Sequence, residues 1–327
     1  MQPFSDWLLR YGIILGKRRT KRQRLEFLRA AQKEFAEMGY AVDVTRSQLK
    51  ILKGEKADYY NLYAGNLKAA DVVFATYYDT PVKSFGAYPY YAFSQGIPKK
   101  GMLLNLLLPL PVLILSVCLL YFVAFRKIAE SGVYTVWGVL TLLVLVGALF
   151  LIRKIRGGIP NRYNMVRNTS SLIVLFQLAA SLTGADRRRT AFALLDGATS
   201  SDYGFTMLES YLGKRKGKKL VYLDSIGNPG RVQILTNDAS LAGSEGAELH
   251  PQQPEQSGLG DYLVTAGEYE DGSVRIPHAN RRSDTELEED TVRGRVQALE
   301  SLLEQIGGEE PSVEKTENRH RLNQKGR

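Results

Sequence analysis

Two long apolar stretches constrain the fold of this chain more than any other feature. Residues 102–125 and 133–152 contain no Asp, Glu, Lys or Arg. Each is long enough to cross a hydrocarbon core of about 30 Å as a helix that rises about 1.5 Å per residue. Helices buried in soluble domains are rarely apolar on all sides over such a length. We therefore predict two transmembrane helices, with two core helices of a soluble domain as the weaker alternative.

The cations around these stretches indicate how the helices are oriented. A short connection, residues 126–132, makes the two helices antiparallel neighbours. The connection carries Arg126 and Lys127, whereas the outer flanks carry more cations: Lys99, Lys100, Arg153, Lys154, Arg156 and Arg162. Because Lys and Arg concentrate on the cytoplasmic side of membrane proteins, we predict that both termini and the main domain are cytoplasmic. The predicted location is the cell membrane, with two spans.

The overall charge and the cysteine content narrow the class of partner. The formal net charge is +9, which attracts anionic lipid or nucleic acid. No aromatic-interleaved RNA motif accompanies the basic runs at 187–189 and 214–219, so we expect the lipid bilayer and no nucleic acid as a partner. The single cysteine, Cys118, excludes an intrachain disulfide and fits a protein that faces the cytosol.

The N-terminal segment leaves two interpretations open. Residues 7–15 are apolar apart from Arg10, and the basic run at 17–24 follows them, whereas a signal peptide has its basic residues first. The segment is therefore either a short buried helix or strand, or an anchor lying in the membrane plane. In the second case the basic run contacts anionic lipid headgroups.

The chain on both sides of the apolar stretches alternates between strand and helix patterns. The spacing of apolar residues predicts helices at 20–38, 170–182, 206–212 and 286–306. Short runs of β-favouring residues predict strands at 41–45, 59–63, 71–78, 191–195, 219–223 and 232–236. We interpret 241–281 as mostly loop and 309–327 as disordered. This order predicts an α/β fold: a mixed, mostly parallel sheet with helices on both faces.

The organisation predicted from these patterns is one domain interrupted by the hairpin. Residues 1–98 and 158–306 form the two halves of the domain, and residues 99–157 are inserted between them as the transmembrane hairpin. Residues 307–327 form the tail. An insertion of this kind is tolerated when it enters at a surface loop.

Polar residues follow several of the predicted strands. The strand at 71–78 ends with Tyr77 and Tyr78 and is followed by Asp79. The strand at 219–223 is followed by Asp224. Arg167 and Asn168 directly precede the helix at 170–182. Residues 191–195 lead through Asp196 to Ala198 and Thr199, and the final helix follows the run 281–285.

In this order the segments resemble the two-zinc aminopeptidase family, relatives of glutaminyl cyclase and of the transferrin receptor protease-like domain. The resemblance covers residues 20–306 outside the hairpin and implies a zinc-aminopeptidase-like fold. Tyr77 stands where the family has a zinc-binding histidine, Asp79 where it has an orienting aspartate, and Arg167 where it has the aspartate that bridges both zincs. Asp224 matches a retained ligand. Ala198 and Thr199 replace a pair of glutamates, which the family uses as general base and ligand.

The resemblance therefore implies a family member that has lost its metal ligands. A guanidinium stays protonated and cannot ligate a metal, so Arg167 would repel a zinc ion. The run 281–285 lacks the family's final histidine, and His278 lies a few residues earlier. We expect no catalytic residue, no metal and no cofactor, with Asp79, Asp224 and His278 as weak zinc candidates only if the chain is active. We also predict that Arg167 compensates for the lost metals by pairing with Asp224 and, as a further partner, Asp79.

These expectations lead to one interpretation of the function and two alternatives. The chain is interpreted as a membrane-anchored, catalytically inactive aminopeptidase-like domain that serves as a binding, scaffolding or regulatory module for a protein or peptide partner. Its candidate cleft consists of Tyr77, Tyr78, Asp79, Arg167, Asn168 and Asp224. The first alternative is a membrane metallopeptidase with a rearranged zinc site drawn from His278, Asp202, Asp224 or Asp79. The second is a purely structural membrane subunit. No His-Glu-x-x-His, Cys-x-x-Cys, phosphate-loop or Gly-x-Ser-x-Gly motif points elsewhere.

Overall fold

The computed structural model describes most of the chain. The residues described are 4–52, 55–82, 90–93, 103, 107–132, 134–155, 161, 164–199, 201–213, 217–243, 246–277, 279 and 284–307. The chain divides into two compact units. The larger comprises Met1–Thr80, Pro89–Ser94 and Tyr163–Arg327, and the smaller comprises Pro81–Tyr88 and Gln95–Arg162.

The described helices and strands are numbered in chain order. The helices are α1 Phe4–Trp7, α2 Lys21–Glu37, α3 Leu110–Leu119, α4 Arg126–Ser131, α5 Val136–Ile155, α6 Ser170–Ser181, α7 Gly184–Arg189, α8 Tyr203–Leu212 and α9 Glu289–Gly307. Three π-helical segments accompany them: Leu8–Ile14, Leu120–Phe125 and Met165–Thr169. The strands are β1 Val42–Leu52, β2 Glu55–Ala64, β3 Val72–Tyr77, β4 Tyr90–Ala92, β5 Thr190–Leu195, β6 Lys219–Leu223, β7 Val232–Thr236, β8 Ala247–His250, β9 Tyr262–Ala266, β10 Glu268–Glu270 and β11 Ser273–Ile276.

The larger unit is built on an eight-stranded sheet in the order β1-β2-β5-β3-β6-β9-β7-β8. The pairs β5/β3, β3/β6, β6/β9 and β7/β8 are parallel, and β1/β2, β2/β5 and β7/β9 are antiparallel. Every residue of β3 and β5 is buried, as expected of parallel strands covered on both faces. A separate three-stranded sheet has the order β10-β11-β4.

Helices cover both faces of the large sheet. On one face, apolar residues of α2, α6 and α9 form a core with the side chains of Val72 and Phe74. On the other face, α8 and the small sheet pack against Val73 and Ala75. Successive strand residues point to opposite faces, which explains this division of β3. The predicted α/β class, with a mixed sheet and helices on both faces, is confirmed.

The smaller unit contains two apolar helical stretches. Leu110–Glu130 is continuously helical through α3, the π-helical segment and α4, and α5 follows at Val136–Ile155. Both are long and apolar enough to cross a membrane, by length and composition. The helix extends through Arg126 and Lys127, which the sequence analysis placed in the connection, and there the two cations form i,i+4 and i,i+3 pairs with Glu130.

The segment 241–281, predicted to be mostly loop, contains four short strands that its composition did not indicate. It contains β8, β9, β10 and β11, and β9 lies between β6 and β7 in the large sheet. All five residues of the strand Tyr262–Ala266 are buried. The Gly, Gln and Pro residues of the connections dominate the composition of the segment, so composition alone did not indicate this strand. The predicted tail lies outside the described residues except for Gly307, the last residue of α9.

Candidate functional site

The residues singled out by the sequence lie where the central parallel strands end. Tyr77 ends β3, Asp196 follows β5 and Asp224 follows β6, and these three strands are neighbours in the sheet. Ligand sites of α/β proteins commonly lie at the carboxyl ends of such strands. The polar residues at this edge form two clusters, one around Asp224 and one around Asp79.

Tyr77 and Tyr78 point to opposite faces of the sheet. The Tyr77 hydroxyl lies 2.9 Å from Asp224 Oδ1 and 3.1 Å from the carbonyl oxygen of Arg167. Tyr78 instead stacks on Phe27, with ring centroids 5.1 Å apart, and donates its hydroxyl to the Tyr60 carbonyl at 2.9 Å. The alternation of side chains along an extended chain separates the two tyrosines. Tyr78 therefore belongs to the helical core rather than to the candidate cleft.

Hydroxyl groups of this chain engage both carboxylate oxygens of Asp224. Tyr77 and the Ser225 hydroxyl each lie 2.9 Å from Oδ1, and the Tyr90 hydroxyl donates to Oδ2 at 2.6 Å. Asp224 itself is 3% exposed. Ser225 has a φ of 53°, an uncommon conformation for a residue other than glycine, which brings its side chain back onto Asp224.

Arg167 lies beside this cluster, in the π-helical segment Met165–Thr169. Its guanidinium stands 4.1 Å from the centre of the Tyr90 ring, a cation–π contact. Burial lowers the pKa of Arg167, but the oxygens of Tyr90, Tyr77 and Asp224 outweigh burial and hold that pKa above its ordinary value. These groups favour the charged form of Arg167 beside the Asp224 cluster, and the pairing of Arg167 with Asp224 stays a prediction.

Asn168 connects the end of β3 to a buried arginine. Its side-chain amide donates to the Tyr77 carbonyl at 2.8 Å, and its side-chain oxygen accepts a hydrogen bond from Arg18. Arg18 is fully buried and also donates to the carbonyls of Tyr78, Tyr11 and Leu15 at 2.6, 2.7 and 2.9 Å. Within the described residues, Asn168 thus supports the strand end and does not face Asp224.

Asp79 belongs to the second cluster. The backbone N–H of Thr199 donates to Asp79 Oδ2 at 3.1 Å, and the Thr199 hydroxyl donates to the same oxygen. Asp196 lies nearby and accepts from Arg24 Nη1 at 2.7 and 2.6 Å. Thr199, at the position of a lost glutamate in the family resemblance, is therefore a hydrogen-bond donor to Asp79.

Two buried acids close together make the stability of this cluster dependent on pH. Burial and repulsion from Asp196 raise the pKa of Asp79 from 3.8 to about 6, against the opposing hydrogen bonds from Thr199. The folded state then binds a proton that the unfolded chain releases above about pH 4. The stabilisation by this group is therefore present below pH 4 and lost as the pH rises through 6.

We expect the substitution Asp79→Asn to remove that pH dependence. Between pH 4 and pH 7, the free energy of unfolding should fall by about 2–3 kcal/mol more in the wild type than in the variant. This figure follows from the pKa shift of Asp79 at about 1.4 kcal/mol per pKa unit. Denaturant unfolding in detergent over this pH range measures the difference. Thr199→Val, which removes a donor to the charged carboxylate, should instead move the loss to higher pH. Parallel profiles for wild type and Asp79→Asn would contradict the assignment.

The residues around Asp224 do not fit a two-zinc site. Such a site needs a carboxylate that bridges two cations and further nitrogen or oxygen ligands. Here tyrosine and serine hydroxyls engage the Asp224 oxygens, and an arginine cation lies next to them. No group of three or more His, Cys, Asp or Glu side chains within the described residues is placed to hold a metal ion. Asp202 is exposed before α8, and His278 lies outside the described residues.

The sequence analysis missed Tyr90, Arg18 and Arg24 as members of these clusters. Tyr90 belongs to a three-residue strand that pairs with the distant β11, so no local pattern marks it. Arg18 and Arg24 lie in a basic run that resembles a solvated surface. One feature of the sequence could have predicted such partners, namely the number of carboxylates at strand ends. Buried carboxylates require cationic or hydrogen-bonding partners.

Solved structures with a similar fold are glutaminyl cyclases and zinc-dependent exopeptidases. Glutaminyl cyclase from Tannerella forsythia is 10% identical over 92% of this chain and 96% of its own, with a TM-score of 0.51. A Zn-dependent exopeptidase from Parabacteroides distasonis is 10% identical over 93% of this chain and 94% of its own, with a TM-score of 0.50. Glutaminyl cyclase from Fimbriiglobus ruber is 13% identical over 71% of this chain and 63% of its own, with a TM-score of 0.40.

These similarities establish the fold and leave the chemistry open. No protein-family model matches the sequence, and no curated protein matches it significantly. The zinc-aminopeptidase-like fold implied by the family resemblance is confirmed. At such low identity a shared fold does not carry an activity with it, so the loss of the metal ligands stays a prediction.

Proposed function

We propose that this chain is a membrane-anchored, catalytically inactive domain of the zinc-aminopeptidase-like fold that acts as a binding or scaffolding module. The observation that supports inactivity is the state of Asp224. Tyr77, Tyr90 and Ser225 donate to its two carboxylate oxygens. A metal would have to displace these hydroxyls and lie beside the Arg167 cation, and both requirements oppose binding.

The exposure of the apolar hairpin supports the membrane anchor. In the most apolar window of each helical stretch, 6% and 0% of the residues are buried. Large side chains such as Leu115, Phe122 and Phe150 are 71%, 73% and 69% exposed. Water makes such exposure unfavourable, whereas lipid does not. With cations concentrated on the outer flanks, we place both termini and the folded domain in the cytoplasm.

The role proposed for a non-catalytic domain fixed to a membrane is to keep a bound partner at that membrane. We propose a protein or peptide partner, because the fold is kept although the groups around Asp224 do not fit a two-zinc site. Co-purification of a stoichiometric partner from detergent-solubilised membranes supports this role. The matched control is a chain in which residues 99–157 are replaced by a short Gly-Ser linker, which should leave the membrane fraction.

The test of inactivity is an enzyme assay on the full chain. Protein purified in detergent is assayed with zinc for aminopeptidase and for glutaminyl cyclase activity, beside the variant Asp224→Asn. We expect both proteins to give the same background rate. An activity that requires zinc and is lost in Asp224→Asn would overturn the proposal in favour of a metallopeptidase with a rearranged site.

A further inference from the structure

Three exposed aliphatic residues stand out near the N-terminus. Leu9, Ile13 and Ile14 are 51%, 60% and 68% exposed. All the other strongly exposed large hydrophobic side chains in the described part of the chain lie between Leu103 and Leu151. We call Leu9, Ile13 and Ile14 the N-terminal ridge. Among the described residues, large and strongly exposed apolar side chains are thus confined to the ridge and to the hairpin proposed to lie in lipid.

The ridge is one face of a π-helical segment, Leu8–Ile14. In a π-helix, with its i→i+5 hydrogen bonds, residues separated by four and five positions lie on the same side. Leu9, Ile13 and Ile14 have this spacing and point outward. Trp7, Tyr11 and Gly12 have the same spacing and are buried on the opposite side. The segment is therefore amphipathic with a π-helical period, which a search for the α-helical period does not detect.

The buried face fixes the direction of the ridge. Trp7 Nε1 and the Tyr11 hydroxyl donate to the buried Glu34 carboxylate at 2.8 and 3.1 Å. The Tyr11 ring packs on Phe176 with centroids 4.8 Å apart. These contacts prevent the segment from rotating to hide its aliphatic side chains. The ridge is a preformed apolar surface rather than a fraying end.

Cations follow the ridge along the chain. Lys17 is exposed directly after it. Lys21 and Arg22 are also exposed, at the start of α2, but they pair with Asp58 and Glu26 at 2.6 and 2.8 Å. An aliphatic ridge followed by exposed lysine and arginine suits the boundary between acyl chains and anionic headgroups. A neutral apolar partner surface would leave Lys17 without a counterpart, so charge complementarity at this residue favours anionic lipid over a second copy of the chain.

We propose that the N-terminal ridge inserts at the headgroup–acyl boundary of an anionic lipid leaflet, with Lys17 at the headgroups. This proposal rests on the proposed membrane location and adds to it a contact made by the folded domain itself. Arg18 and Arg24, the other candidates in the basic run, are committed to interior contacts with Asn168 and Asp196. The lipid-facing role therefore belongs to the ridge and Lys17, not to the whole run.

Depth-dependent fluorescence quenching tests this contact on the full chain. Cys118 is replaced by serine, and a single cysteine is introduced by Ile13→Cys or, as the control, Lys68→Cys. Lys68 is exposed in the turn before β3, at the opposite end of that strand from Tyr78 and Arg18. Each protein carries an environment-sensitive dye and is reconstituted into vesicles of phosphatidylcholine with phosphatidylglycerol, with a phospholipid bearing a doxyl quencher near the headgroup.

We expect quenching at position 13 to exceed that at position 68 by about threefold, and to fall by about half with Lys17→Glu or without phosphatidylglycerol. Equal quenching at the two positions, in protein that resists alkaline carbonate extraction, would refute the ridge contact and leave the membrane anchor intact. Release of the protein by carbonate would refute the transmembrane anchor, and equal quenching at positions 13 and 68 in that protein would refute the ridge contact as well. A dye at position 13 that is shielded from water but not quenched by lipid would identify a protein partner instead.

Discussion

Replacing Arg18 by methionine is expected to destabilise the folded domain by about 3–5 kcal/mol, a large part of the total stability of a typical domain. The Arg18 side chain is fully buried and donates to three backbone carbonyls, to Asn168 and to Thr169. Burial lowers the pKa of Arg18 to about 9, yet the group remains charged at neutral pH. Methionine fills a similar volume but leaves these buried acceptors without donors, and that loss dominates.

Thermal unfolding in detergent, followed by circular dichroism, measures the effect. Lys17→Met is the matched control, because it removes an exposed cation from the neighbouring position and should change stability by no more than about 0.5 kcal/mol. Equal melting temperatures for Arg18→Met and Lys17→Met would show that the Arg18 contacts contribute nothing to the fold.

Replacing Arg167 by alanine is expected to destabilise the domain by about 2–4 kcal/mol, because a buried carboxylate loses its cation. Arg167 packs on the Tyr90 ring, and Asp224 contributes to raising the pKa of its guanidinium. If the two residues stabilise each other, Asp224→Asn should also be destabilising. The double variant should then lose at least about 1 kcal/mol less than the sum of the two single losses.

This double-mutant cycle is measured by denaturant unfolding of the wild type, the two single variants and the double variant. Arg231→Ala is the control, since the Arg231 side chain is 71% exposed and its ion pair with Glu248 lies at the surface. Additive losses for Arg167→Ala and Asp224→Asn would rule out a direct interaction between the two. An unchanged stability of Arg167→Ala would further show that its charge does not compensate for lost metals.

Local patterns in the sequence were sufficient where a local property determines the structure. The two apolar helices follow from uninterrupted apolar composition, and β3, β5 and β6 follow from short β-favouring runs. The carboxylates at strand ends followed from the same runs. Arg167 and Asp224 both contact Tyr90, and their predicted pairing with each other stays a prediction.

The remainder of the structure depends on residues that are distant in sequence. Tyr90 reaches Asp224 only because β4 pairs with β11. Arg18 is buried because carbonyls from separate segments of the chain accept its hydrogen bonds. Its position in a run of basic residues gives no indication of this burial. The strand β9 pairs with β6 on one side and β7 on the other, and this pairing, rather than its local sequence, identifies it as a strand. In each case tertiary contacts outweigh the local composition.

The metal content of the full chain tests the central claim most directly. The protein is purified in detergent, dialysed against trace zinc, washed free of unbound metal and analysed for zinc per chain, with Asp224→Asn prepared in parallel. Because Tyr77, Tyr90 and Arg167 surround Asp224, we predict no stoichiometric zinc and no difference between the two proteins. About two zinc ions per chain, lost in Asp224→Asn, would contradict this account and indicate a metallopeptidase.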